Sequence, residues 1–148
     1  MADNLFPVFD VPEIDTTTQD KHRKYYPSVF FDYDTGDFRL DGAHRMTEAA
    51  GQEAYMQWCR KVVMTERDAC LAYSTDIGIE GEYALSLGDH DAVEAALEKT
   101  ITEALMVNIH TEYVRDFEFT WSADEIRVAF TVKGRSWEEV QLSTSIPT

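Results

Sequence analysis

Four histidines, two cysteines and 28 acidic side chains are the groups in this 148-residue chain that could ligate a metal, attack an electrophile or move a proton. His22, His44, His90 and His110 are scattered, and no pair of them has the spacing of metal ligands on a helix or turn. Cys59 and Cys70 form no C-x-x-C pair. On one helix they would share a face about three turns apart, too far to bridge, so both are expected to be reduced core residues. The chain has no G-x-x-x-x-G-K-[ST], G-x-G-x-x-G, G-x-S-x-G or H-E-x-x-H signature. Asp32, Asp34 and Gly36 hint at a calcium loop, but the sixth position from Asp32 is Asp37 where the turn needs Gly, and the twelfth is Ala43 where a bidentate Glu is needed. With so many carboxylates, some fall at glycosidase-like separations by chance, which singles out no acid and no nucleophile. The expectation is no enzyme and no catalytic, cofactor-binding or metal-ligating residues.

One charged residue does stand out. Helix formers dominate from Ala43 to about Met64, and Tyr55, Trp58, Cys59 and Val62 recur at i, i+3, i+4 and i+7, the spacing of a buried helical stripe. Extending that projection puts Ala69 and Tyr73 on the stripe and Glu66 near its centre, where a carboxylate is costly unless paired or hydrogen-bonded. Either the helix breaks near Thr65, with Thr65-x-x-Asp68 capping a short second helix, or Glu66 stays inward and pairs, most simply with Arg67 or with a basic group from elsewhere.

The elements around this residue are read from periodicity. Residues 1–27 form an extended N-terminal arm: Pro7 and Pro12 interrupt two short apolar pieces, and the polar run Asp15 to Lys24 follows. Phe6, Val8, Phe9 and Ile14 then need a surface, which is expected to belong to a neighbouring chain. Residues 28–148 are read as a single α+β domain. Val29–Tyr33 and Phe38–Leu40 flank the turn residues Asp34-Thr35-Gly36-Asp37 of a β-hairpin. Ser74–Gly78 reads as a loop and Gly81–Gly88 as a connector. A second core helix starts at Asp91, with Glu94 completing a capping-box pattern, and carries the stripe Val93, Leu97, Thr100, Ile101, Ala104 and Leu105 as far as about Asn108.

After that the period changes to two. Tyr113, Arg115, Phe117, Phe119 and Trp121 share one face of a strand; Ile126, Val128, Phe130 and Val132 share one face of the next. A third strand starts past Arg135, with Val140, Leu142, Thr144 and Ile146 on one face and Trp137, Glu139, Gln141, Ser143 and Ser145 on the other. The result is a C-terminal antiparallel sheet of about three strands with an exposed edge, and such an edge invites pairing with another chain.

The bulk properties narrow the partners. A hydrophobic content of 44% fits one domain, and a net charge of −15 is the wrong sign for neutralising phosphates, so no nucleic acid is expected. No apolar run approaches the roughly 18 residues of a membrane span, and the N-terminus lacks the basic-then-apolar pattern of a signal peptide. A soluble protein made in the cytoplasm, with no membrane partner, is the expectation.

Several segments, in order along the chain, resemble a known family. Leu5-Phe6-Pro7-Val8-Phe9-Asp10-Val11-Pro12 looks like its N-terminal signature. Thr65-Glu66-Arg67, followed by Ala72-Tyr73-Ser74-Thr75-Asp76-Ile77-Gly78-Ile79, resembles its central segment. Leu97, Ile101, Glu103, Ala104 and Leu105, then Val114, Phe117, Glu118, Phe119, Val128, Phe130, Thr131 and Val132, resemble its helix-to-hairpin stretch. The family is the baseplate wedge or sheath-initiator group of contractile phage tails and defective-prophage, tailocin-like particles. Distant members carry Glu-Pro-Arg where this chain has Glu66 followed directly by Arg67, so the local backbone of that form does not carry over. The resemblance implies a structural protein of a baseplate, assembled in the bacterial cytoplasm, seated on the wedge and templating the first ring of sheath through an exposed sheet. It assigns wedge contacts to Glu66, Arg67, Asp76 and Gly78, sheath contacts to Val140, Leu142, Thr144 and Ile146, and arm contacts to Phe6, Val8 and Phe9. The implied partners are the tail sheath protein and other wedge proteins, with contact to the tail tube left open; no cofactor is implied. Two alternatives stand beside this reading: a small cytoplasmic protein-binding adaptor on the same frame, and a carboxylate-based, lysozyme-like hydrolase.

Overall fold

Ile126, Val128, Phe130 and Val132 alternate with polar or small residues, and all four side chains are completely buried in the computed structural model, which describes residues 25–148. They belong to β6 (Glu125–Gly134), the central strand of a three-stranded antiparallel sheet in the order β5 (Thr111–Trp121), β6, β7 (Val140–Pro147). Two helices cover the inner face. α1 (Gln52–Val63) buries Tyr55, Cys59, Val62 and Val63 and reaches β7, while α3 (His90–Met106) packs against β5. Burial of each large apolar side chain in this layer contributes roughly 1.5 to 3 kcal/mol relative to exposure.

The α3 stripe is the expected one: Val93, Leu97, Thr100, Ile101, Ala104 and Leu105 are its buried residues. Its start lies upstream of Asp91, because Asp89 is the N-cap and accepts the Ala92 N–H at 3.2 Å. His90 stacks flat on Trp121 at 3.8 Å, and the Trp121 indole donates to Glu94 at 2.7 Å, fixing the start of α3 to the end of β5. In the centre of the core the Tyr55 and Thr111 hydroxyls meet at 2.8 Å. Because Thr111 uses its one proton on the Leu105 carbonyl, at 2.8 Å, Tyr55 is the donor of that pair.

The first helix begins later than helix propensity over 43–51 implies. Ser28–Val29 (β1) pairs with Glu48–Ala49 (β4), Phe31–Asp32 (β2) pairs with Asp37–Phe38 (β3), and Leu40 bridges Met46. The turn side chains account for this. Asp32 accepts from the Asp34 and Thr35 amides, and Asp41 accepts from the Ala43 and Arg45 amides. These bonds hold both carboxyls below the ordinary aspartate range. Gly51, at φ +57°, then admits the chain into α1.

Four further expectations change. Residues 81–88 contain a helix, α2 (Gly81–Ser86), rather than a plain connector. Cys59 is buried as expected, and burial pushes its thiol up to about 12, but Cys70 is exposed because α1 has already ended. The even alternation expected of β5 is broken: its register against β6 shifts between Arg115 and Glu118, with Asp116 at φ +57°. Val114 opposes buried Val132 before the bulge, and Phe119 opposes buried Val128 after it, so Val114, Phe117, Phe119 and Trp121 face the core while Arg115 turns out to Glu139. Trp137 lies before β7 and stacks on Tyr55 at 5.1 Å, on the core side rather than the expected outer one. The arm residues Phe6, Val8 and Phe9 lie outside the described residues.

Candidate functional site

Met64 closes α1, so the helix breaks where one of the two expectations put it. The segment beyond it is a clasp rather than a capped second helix. The Thr65 hydroxyl donates back to the Lys61 carbonyl at 2.7 Å. Glu66 bridges Ile79 in parallel: the Ile79 N–H donates to Thr65 O at 2.9 Å and the Arg67 N–H to Ile79 O at 2.8 Å. The half-buried Glu66 carboxylate accepts from the Gly81 N–H at 3.0 Å and the Glu82 N–H at 3.3 Å, satisfying first-turn amides of α2 and explaining how a six-residue helix persists.

Glu66 and Arg67 therefore do not pair with each other. Arg67 turns the other way, giving Nε and Nη2 to the Gly78 carbonyl at 3.3 and 3.2 Å and Nη1 to the Glu80 carboxylate at 2.8 Å. Backbone geometry separates the two side chains: adjacent residues in a bridge point to opposite sides. Gly78 is buried at φ +105°, and a Cβ there would stand 2.8 Å from Thr65 O and 3.0 Å from Arg67 N. Of the four residues assigned to wedge contact, Glu66, Arg67 and Gly78 come together in this clasp. Asp76 stays in the exposed loop it closes, beside Ser74. The same loop exposes Leu71 completely.

The second candidate surface is the outer edge of β7. All eight residues of the strand pair with β6 in unbroken register, from Val140 opposite Val132 to Pro147 opposite Glu125. Which main-chain groups face outward follows from the ends of the ladder. The Thr148 N–H donates to Asp124 O at 3.1 Å, and on the other side the Ser122 N–H donates to Glu125 O at 2.9 Å. Opposed residues alternate between bonded and non-bonded pairs, so Val140, Leu142, Thr144 and Ile146 spend their main-chain groups on β6. Gln141, Ser143 and Ser145 turn theirs to the edge. Pro147 has the outward parity as well, where its missing N–H costs no ladder bond.

The four residues assigned to sheath contact form the core side of the strand, with Leu142, Thr144 and Ile146 buried. The exposed alternates Gln141, Ser143 and Ser145 carry both the free main-chain groups and the outward side chains. The period-2 pattern contained this signal, but pairing geometry was needed to read it. The opposite edge, on β5, is interrupted by the Asp116 bulge, while the Arg115–Glu139 ion pair, at 2.9 Å, spans the sheet from β5 towards the start of β7.

Among the described residues no group of three or more His, Cys, Asp or Glu could hold a metal ion, and no helix is long and apolar enough to cross a membrane. No curated protein matches the chain. The family model for the contractile injection system sheath initiator matches residues 27–136, which take in the hairpin, all three helices, the clasp and the first two long strands and stop short of β7. The chain belongs to the contractile injection system sheath initiator family.

Proposed function

We propose that this sheath initiator sits on the baseplate wedge and starts sheath assembly by offering the outer edge of β7 to a strand of the first sheath subunit. The observation that carries this reading is the contrast between the two edges of the sheet: β7 is regular over eight residues, and β5 is bulged. Regular edges template strand addition, whereas bulges are a standard means of preventing it. The incoming strand bonds to the main chain of Gln141, Ser143 and Ser145, and their side chains fix its register. On this reading the role is structural and needs no catalytic group. Val140, Leu142, Thr144 and Ile146 act from beneath by holding the edge flat against the core.

The seat on the wedge is the loop between Arg67 and Gly78, with Leu71 and Asp76 as its exposed contacts. Glu66, Arg67 and Gly78 position that loop rather than touching the wedge protein. The test is a pair of proline substitutions. Ser143→Pro removes an outward donor and leaves the β6 ladder intact, so the domain should fold and fail to nucleate sheath on assembled baseplates. Ser143→Ala should nucleate normally. Leu142→Pro removes a donor that β6 uses and should unfold the sheet. Normal sheath growth from folded Ser143→Pro would overturn the proposal.

A further inference from the structure

An open groove of about 830 Å³ runs between α1 and the β1–β4 meander. Its walls are apolar and strongly aromatic, with Val29, Phe31, Tyr33, Phe38, Trp58 and Ile109 among the lining residues. Val29, Phe38 and Ile109 are exposed there, an apolar surface of the kind that monomeric domains usually cover. A second observation points to a ligand with a particular chemistry. Gln57 lines the groove; its Oε1 accepts from the Phe31 N–H at 3.3 Å, while its Nε2 is buried with no hydrogen-bond partner. A buried amide donor without a partner is costly, and an occupant supplying a carbonyl as the side chain turns to the groove would recover that cost.

We infer that the groove is the docking site for this chain's own segment Leu5–Pro12, bound in extended form with a main-chain carbonyl on Gln57 Nε2. Aromatic-lined grooves select proline-containing extended peptides, because proline presets the backbone and so reduces the ordering entropy lost on binding. Leu5-Phe6-Pro7-Val8-Phe9-Asp10-Val11-Pro12 is such a peptide, with apolar side chains for the groove and prolines spaced along it. Lys61 on the groove wall complements Asp10. Reach and concentration favour the chain's own copy. Tyr25, where the described chain begins, lines the groove itself, and the run from Asp15 to Lys24 can span up to about 35 Å at roughly 3.5 Å per residue. A short tether supplies an effective concentration on the order of millimolar. Docking on a neighbouring chain, the expectation from sequence alone, is the competing arrangement.

The experiment uses the full-length chain with p-benzoylphenylalanine in place of Val29. Irradiation should cross-link position 29 to residues 5–12 within the monomer, as mapped by mass spectrometry. Cross-links found only in dimers, or only to other parts of the chain, would overturn the inference. As an independent reading, the double variant Phe6→Ser/Phe9→Ser should raise amide exchange in peptides covering 28–38 and 54–61 by tenfold or more. Peptides covering 126–132 should be unchanged, and a synthetic Leu5–Pro12 peptide should restore the lost protection. Unchanged exchange at the groove would overturn docking, and so would a uniform rise that includes β6.

Discussion

Gly78→Ala is the sharpest perturbation of the clasp, because both its local and its tertiary cost can be worked from geometry. At φ +105° the backbone is in a region that L side chains rarely adopt, a cost of roughly 1 to 3 kcal/mol. The added methyl would lie 2.8 Å from Thr65 O, 3.0 Å from Arg67 N and 3.1 Å from Arg67 Cα, all of them main-chain atoms that cannot rotate away. Overpacking of this kind adds roughly 1 to 3 kcal/mol, though opening of the exposed loop limits the sum to about 2 to 4 kcal/mol. For a domain of this size the melting temperature should fall by roughly 5 to 15 °C. The control is Gly88→Ala, also at positive φ (+73°) but with nothing within 4 Å of the new methyl. It should cost only about 1 kcal/mol. Thermal melts by circular dichroism give the comparison, and amide exchange should rise first at Arg67 and Ile79, whose N–H groups close the bridge. If the two alanine variants melt together, the close approach at Gly78 does not hold the clasp and the reasoning fails.

Other expectations are quicker to check. Glu66→Gln keeps one accepting oxygen but puts an NH2 donor where the other oxygen accepts, so it loses one of the bonds to Gly81 and Glu82 as well as the charge, and α2 amides should exchange faster while α3 is unaffected; equal protection in both proteins would refute the capping role. An Ellman-type thiol titration of the native protein should count one fast thiol, Cys70, with Cys59 reacting only on unfolding; a fast second thiol would contradict its burial. Because Cys59 is pushed up to about 12 from 9.0, the folded state favours its protonated form; stability is complete below pH 9 and declines as pH rises toward 12, as alkaline melts should show. Asp32 and Asp41 are held below their usual 3.8, so their contribution is complete above that pH and is lost as pH falls below it. Amide shifts of Asp34, Thr35, Ala43 and Arg45 should follow that titration.

Much of the fold was legible because α3 and β6 carry undiluted periods: six stripe residues and four alternating apolar ones are the buried sets. What sequence missed has physical causes. Helix propensity over 43–51 lost to Asp41, whose side chain satisfies two amides of a turn, and to the pairing of β4 with β1. α2 has no apolar period of its own and depends on a carboxylate fifteen residues upstream. The β5 bulge turns on Asp116 adopting positive φ, which aspartate tolerates but does not advertise. At the site, the helical projection that put Glu66, Ala69 and Tyr73 on one buried stripe fails, because α1 ends at Val63 and leaves Ala69 and Tyr73 exposed; Glu66 does have partners, but they are main-chain N–H groups that no residue pattern displays. The alternation of β7 identified its core face correctly, while the outward hydrogen-bonding groups belong to the other parity and required the ladder itself.

The most direct test of strand addition is a reconstruction, by electron cryomicroscopy, of the assembled baseplate with its first sheath ring, at a resolution that traces main chains. A sheath strand hydrogen-bonded to Gln141, Ser143 and Ser145, extending the β5–β6–β7 sheet by one, is the result expected. A sheath ring in place with the outer edge of β7 open to solvent, or covered by a wedge protein, would contradict it.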